Sequence, residues 1–99
     1  MKVWLDDIRP MPQGFDIHVT TAQQAIDILA TGKVTLISLD HDLGDDNHQN
    51  TGYHVAKFIE ENVFFGKLSQ FEIRIHSANP VGRVNMLRCI QNCEKMWSN

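Results

Sequence analysis

Val34-Thr35-Leu36-Ile37-Ser38-Leu39 is a near-continuous apolar run that stops abruptly at Asp40-His41-Asp42. A strand with one wet face alternates apolar and polar residues, whereas a run like this one reads as a strand covered on both faces, the habit of parallel sheets. The same pattern recurs on either side. Val3-Trp4-Leu5 is a shorter buried strand ending in Asp6-Asp7, and Phe71 to Ile75 is a strand closing on His76-Ser77-Ala78-Asn79. Phe15 to Thr20 alternates well enough for a further strand, closed by Thr20-Thr21.

Helical periodicity fills the intervals. Thr21-Ala22-Gln23-Gln24 has the form of a capping box, and the helix behind it sets Ala22, Ala25, Ile26 and Leu29 on one face before stopping near Gly32. Tyr53 to Val63 reads as a helix with Val55, Phe58, Ile59 and Val63 inward. Asn79-Pro80 supplies an N-cap and a proline at the first helical position of a last helix, which runs to about Met96. Its apolar stripe is Met86, Cys89, Ile90, Cys93 and Trp97. Ile8 to Gly14, with Pro10 and Pro12, is a loop, and the polar stretch Leu43 to Gly52 is expected to be a mobile one.

The order β-β-α-β-α-β-α predicts an α/β fold, a mainly parallel four-stranded sheet with three helices on its faces, formed by one domain over residues 1–99. One connection is awkward. Asp6 to Gly14 is short for a crossover between parallel strands and holds no helix, so it runs extended or displaces the second strand.

Composition narrows the function classes. Of the 99 residues, 42% are hydrophobic and 21% charged, which is ordinary globular usage. Nine Lys and Arg against twelve Asp and Glu give a net charge of −3, so neither general DNA binding nor a membrane-surface role is expected. No apolar run approaches the ~20 residues of a membrane span. Acidic residues arrive too early at the N-terminus for a signal peptide, and Cys89 and Cys93 read as free core thiols, so a cytoplasmic chain is expected.

In an open parallel sheet, ligands bind outside the carboxyl ends of the strands, where strand order reverses. With strand order 2-1-3-4, the ends carrying Asp6 and Asp7, Asp40, His41 and Asp42, and His76 meet in one crevice. Carboxylates packed so closely repel one another and either hold protons or bind a cation. An all-oxygen set of Asp6, Asp7, Asp40 and Asp42 suits Mg²⁺ or Mn²⁺, which keeps waters for a phosphate ligand. His41 and His76 are candidate general acids or bases. Arg9 is placed to fork onto phosphate oxygens, and the last helix offers backbone N–H groups at Val81 and Gly82. Asp45, Asp46 and His48 read as a solvated loop, His18 and His54 as structural or surface residues, and Trp4 and Trp97 as core.

Leu5-Asp6-Asp7 and Leu39-Asp40 together resemble the acidic layout of the response-regulator receiver domain. The fuller set Leu5-Asp6-Asp7-Ile8-Arg9-Pro10, Ser38-Leu39-Asp40-His41-Asp42-Leu43, Thr51-Gly52-Tyr53 and Ile75-His76-Ser77-Ala78-Asn79-Pro80 resembles a receiver offshoot, the cyclic-phosphate processing receiver-like family. The resemblance spans most of the chain, from about residue 2 to residue 88. It implies a truncated receiver-like (flavodoxin-like) sheet whose acidic pocket handles cyclic phosphate esters. Asp6, Asp7 and Arg9 match its first motif, Asp40, His41 and Asp42 its second, and His76 and Ser77 its third. An ordinary receiver has five βα units; here the first helix and the fifth unit are missing. None of Lys2, Lys33, Lys57, Lys67 and Lys95 sits at a strand's carboxyl end, where a receiver keeps its lysine.

Three functions stay open on this reading. One is a metal-dependent phosphoesterase acting on a cyclic phosphate, either a nucleotide or an RNA 2′,3′-cyclic end, with Asp6 or Asp7 and Asp40 on the metal, His76 or His41 protonating the leaving oxygen and Arg9 opposing charge at phosphorus. Another is a non-catalytic module that binds a nucleotide or a protein partner in the same crevice. The third, a receiver phosphorylated on Asp40, is weakened by the missing lysine.

Overall fold

The computed structural model describes residues 1–99 and holds four strands and three helices in the expected order. Strands β1 (Lys2–Leu5), β2 (Ile17–Val19), β3 (Leu36–Leu39) and β4 (Glu72–Ile75) form one sheet of order β2-β1-β3-β4. Every neighbouring pair is parallel, and the register sets Val3, Ile37 and Ile73 in one row and Leu5, Leu39 and Ile75 in another. Helices α1 (Ala22–Leu29), α2 (Gly52–Phe64) and α3 (Pro80–Ser98) follow β2, β3 and β4. The strands are shorter than the apolar runs. Val34 and Thr35 precede β3, and Phe71 precedes β4, although Thr35 still bonds the adjacent chain through its N–H to the Met1 carbonyl at 2.8 Å.

The helices do not cover both faces of the sheet. Val3, Leu5, Ile37 and Leu39 share one core with Ala25 and Leu29 of α1, Val55 and Ile59 of α2, and Met86 and Cys89 of α3. Side chains alternate along a strand, so Trp4, Ser38 and Arg74 point to the opposite face. The cause is topological. The steps β2 to β3 and β3 to β4 cross the sheet in the same direction, and right-handed crossovers then put their helices on one side. The step β1 to β2 runs the other way, so its crossover belongs on the Trp4 face.

That crossover is the short connection that the sequence left awkward, and it runs without a helix while β2 stays paired to β1. Phe15 meets Trp4 edge-on with centroids 5.3 Å apart, and the Trp4 indole N–H donates to the Arg9 carbonyl at 3.3 Å. The loop is sewn to β1 at its far end, where the Asp16 N–H donates to the Lys2 carbonyl and the Lys2 N–H to the Asp16 carboxylate.

The caps fall where side-chain chemistry places them. Thr21 makes a reciprocal capping box with Gln24. Thr51 accepts from the His54 N–H at 3.1 Å and starts α2 at Gly52, one residue before the periodicity suggested. Along α3, Met86, Cys89, Ile90 and Cys93 are buried, while Trp97 is half-buried, packs edge-on against Phe71 and donates to the Leu68 carbonyl. Burial pushes the Cys93 thiol up to about 12, so it is an inert core group. No helix is long and apolar enough to cross a membrane.

Candidate functional site at the carboxyl edge of the sheet

Each strand ladder continues one residue past its strand, and that residue carries the chemistry. The Asp6 N–H donates to the Val19 carbonyl, the Asp40 N–H to Leu5 and the His76 N–H to Leu39, all at 3.0–3.1 Å. Three polar residues distant in sequence therefore stand side by side, fixed by the sheet backbone. One potential metal-binding atom from each of Asp6, Asp40 and His76 lies within 4.8 Å of the others.

The Asp6 carboxylate is 1% exposed and fully engaged. One oxygen accepts the N–H groups of Ile8 and Arg9, both at 2.8 Å, and the other faces His76 Nε2 at 3.0 Å. Burial alone would raise its pKa; the two backbone donors and the imidazole outweigh burial and hold it below the ordinary carboxylate value. His76 reaches across the end of β3, and its Nδ1 lies 2.7 Å from Ser38 Oγ. Its ring lies flat on the indole of Trp4. Burial lowers the His76 pKa despite the neighbouring Asp6 and Asp40 carboxylates. Both ring nitrogens are thus in use, so His76 as it stands has none to offer a substrate.

Asp40 is different. One oxygen accepts the N–H of His41 at 2.9 Å, and the other has no partner in the chain. Burial first, and then the charge of Asp6, raise its pKa above the ordinary value. Beside it, His41 Nδ1 faces Asp42 Oδ1 at 2.9 Å, and Asn79 Nδ2 donates to both Asp42 oxygens. The His41 bond holds the Asp42 pKa down. The His41 ring lies against Gly82 of α3, so closely that a Cβ there would collide with it. His41 Nε2 has no partner in the chain.

The remaining candidates divide. The Arg9 guanidinium crosses to the end of β4, where Nη1 donates to the His76 carbonyl at 2.6 Å. Asp7 is not one of the three clustered residues; its carboxylate turns toward Gly44, where a Cβ would sit 2.7 Å from Oδ2. At the start of α3, the N-cap Asn79 already takes the N–H of Gly82 at 3.0 Å, which leaves that of Val81 free for a ligand. Ser77 is buried and its hydroxyl accepts the Asn79 N–H, shaping the turn into α3. His18 Nε2 lies 2.7 Å from the Asp6 carbonyl, on the β2 side of the site. The 43–51 loop is tied down by Asn50, which receives the N–H of Ala22 and donates to Asp45.

Trp4 and Ser38 were missed as site residues. Trp4 inside an apolar run reads as core, and Ser38 as a strand filler. The only signal was parity: each stands two positions before a site aspartate, and so on the same side of its strand. No groove of the surface is lined by Asp6, Asp40 or His76. The surface grooves lie elsewhere, one of about 700 Å³ between α2 and α3 beside Phe64 and Phe65 and one along the outer edge of β4.

The model of the cyclic-phosphate processing receiver domain matches residues 1–92, which takes in all four strands, both acidic segments, His76 and most of α3. Comparison with curated proteins and with solved structures gives no significant match. With nearly the whole chain covered, and with the parallel order β2-β1-β3-β4 delivering Asp6, Asp40 and His76 to one edge, the chain belongs to the family of cyclic-phosphate processing receiver domains.

Proposed function

We propose that this domain opens cyclic phosphate esters by hydrolysis, with Asp40 and the His41–Asp42 pair at the centre of the site. The observation that carries the reading is the state of Asp40: a partly buried carboxylate beside a second one, with an oxygen that nothing in the chain satisfies. Such a group calls for a cation. The donors fit a hard divalent ion, Mg²⁺ or Mn²⁺, which takes one or two carboxylates and keeps its waters. Asp40 would be the first ligand, the one carboxylate of the Asp6, Asp40 and His76 cluster with an oxygen free, since Asp6 is spent on its own hydrogen bonds. When bound, the ion supplies polarisation of the phosphoryl oxygens and a more acidic water.

The chain's own groups do the rest. Arg9, tethered by one nitrogen, keeps other N–H donors for the equatorial phosphate oxygens, as does the Val81 N–H. Asp42 fixes the His41 ring through Nδ1 and leaves Nε2 to exchange protons. As water adds to phosphorus it releases a proton to solvent, one ring P–O bond breaks, and the leaving ribose oxygen takes a proton from His41, which solvent then restores. His76 serves as a positioning residue, holding Asp6 and the end of β4.

The test is to incubate the protein with Mg²⁺ or Mn²⁺ and a panel of 2′,3′-cyclic and other cyclic phosphates, following ring opening by ³¹P NMR. Turnover that falls ~10²–10⁴-fold in His41→Gln supports the reading. The engagement of both His76 nitrogens favours a second reading, a module that binds such a ligand without cleaving it. Saturable binding with no turnover would select that one, and an acid-labile adduct with acetyl phosphate would point to a phospho-accepting receiver instead.

A further inference from the structure

The two edges of the sheet are not alike. The outer edge of β2 is one short strand of three residues, whereas β4 is four residues long and pairs only with β3. The Glu72 N–H bonds the Thr35 carbonyl and the His76 N–H bonds Leu39, so the even-numbered residues of β4 face β3. By the same alternation Ile73 and Ile75 turn their N–H and C=O groups outward, and of these the Ile75 carbonyl already accepts from Arg83 at 3.4 Å through one of its two lone pairs. Edges of this kind are normally blunted by proline, lysine or a bulge, because they invite another strand. Phe71 to Ile75 has none of these; its one blunting feature is the exposed charges Glu72 and Arg74, which are opposite in sign and pair with each other.

Beside this edge, α3 presents a matching stripe. Arg83 reaches the Ile75 carbonyl at one end and Trp97 touches Phe71 at the other, so Leu87 and Ile90 lie along the strand between them. Leu87 is 45% exposed, and Phe71, Ile73 and Ile75 are half-buried on the helix side. The groove between strand and helix is lined by Phe71, Ile73, Ile90 and Trp97, with Glu72 and Glu94 among its polar residues.

We infer that β4 pairs with β4 of a second copy of this chain, antiparallel about a two-fold axis at Ile73, joining two sheets into one of eight strands. Charge selects both the partner and the register. A two-fold axis at Ile73 makes Ile73 face its own copy as a hydrogen-bonded pair and sets Glu72 of each chain opposite Arg74 of the other, with Ile75 opposite Phe71. An axis at Glu72 or at Arg74 would set like charges against each other, which is unfavourable across strands. Both side chains are more than half exposed and pair with each other in the single chain, so exchange between copies fixes register more than it adds affinity. One strand and one helix stripe fall short of the ~1,600 Å² of a standard stable interface, so the pairing depends on concentration.

Sedimentation velocity of the whole chain over a dilution series tests this. A species of twice the 11.3 kDa chain mass is expected to grow with concentration. Arg74→Glu and Glu72→Arg, each placing like charges across the axis, should abolish it, and the double exchange should restore it. Each variant is checked for an unchanged circular dichroism spectrum, since both residues are exposed. A monomer at every concentration, a dimer indifferent to the single changes, or a double exchange that fails to restore it would overturn the inference.

Discussion

The indole of Trp4 and the imidazole of His76 lie stacked, with centroids 3.7 Å apart and planes within 6° of parallel. A residue from β1 thus meets one from the end of β4 over the end of β3, closing one side of the site. Protonated imidazole in van der Waals contact quenches indole emission more than the neutral ring does. In Trp97→Phe, with chelator present, Trp4 emission should therefore fall on acidification with a midpoint below the ordinary histidine value of about 6.5, because burial disfavours the His76 cation. A midpoint at or above that value would contradict the burial of His76 seen here.

The same group makes stability depend on pH. His76 is depressed in the folded protein, so just below about 6.5 the unfolded chain binds more protons than the folded one. Stability from neutral His76 is fully present above that value and is lost as pH falls through the window. Asp6 adds a second loss at lower pH, below the ordinary carboxylate value, since its folded pKa is also depressed. Urea melts of the wild type and His76→Gln should diverge in their pH slope near and below 6.5. Parallel slopes would show that His76 is not the titrating group.

Asp40 carries the opposite sign. Its raised pKa means that the ionised form is disfavoured in the folded state, so at neutral pH the carboxylate works against folding. Asp40→Asn keeps the shape and removes the charge. Without metal, its melting temperature should be unchanged or slightly higher, while Mn²⁺ binding by calorimetry is lost. A clear fall in metal-free melting temperature would identify Asp40 as a structural cap and remove the centre of the proposed site.

Two glycines should be intolerant for different reasons. Gly82→Ala drives a methyl group into the His41 ring, so turnover should drop much as in His41→Gln, with a stability loss of about 1–3 kcal/mol. Gly52→Ala meets the backbone carbonyl of Asp40, which cannot rotate away, and the stability loss should be at least as large. Full activity in Gly82→Ala would show that the His41 position is irrelevant to the chemistry.

Much of this architecture was legible in the chain itself. The apolar runs, the capping box at Thr21 and the Asn79-Pro80 start gave every element, because each rests on local periodicity, whereas the strand order was a supposition from the doubly wound pattern that the structure matches. The missing helix layer was not legible, since Val34 to Leu39 reports that both faces are covered and not by what. Part of that cover is Trp4, His76 and the connecting loop. Within the site, Asp6, Asp40, His41 and His76 stood out as polar residues closing apolar strands. Their divided labour did not, because Asp6 and His76 are partners 70 residues apart and Ser38 hides inside a strand. The N-cap expected at Asn79 already implied that its side chain would take a first-turn N–H, and the phosphate reading of Gly82 overlooked this.

The ladder bonds at Asp6, Asp40 and His76 bear on timescale. An amide inside a sheet ladder exchanges its hydrogen only when that part of the sheet opens, whereas loop amides exchange through local fluctuation. Asp6, Asp40 and His76 therefore share the slow exchange of β1 and β3, whereas Arg9 and His41 stand on the loops beside them. On the proposed function, ligand entry and product exit fall to the surrounding loops, residues 7–16 and 43–51. On that reading, selectivity among phosphate esters can be altered by exchanging residues 43–51, with Arg9, Asp40, His41 and Asp42 left in place.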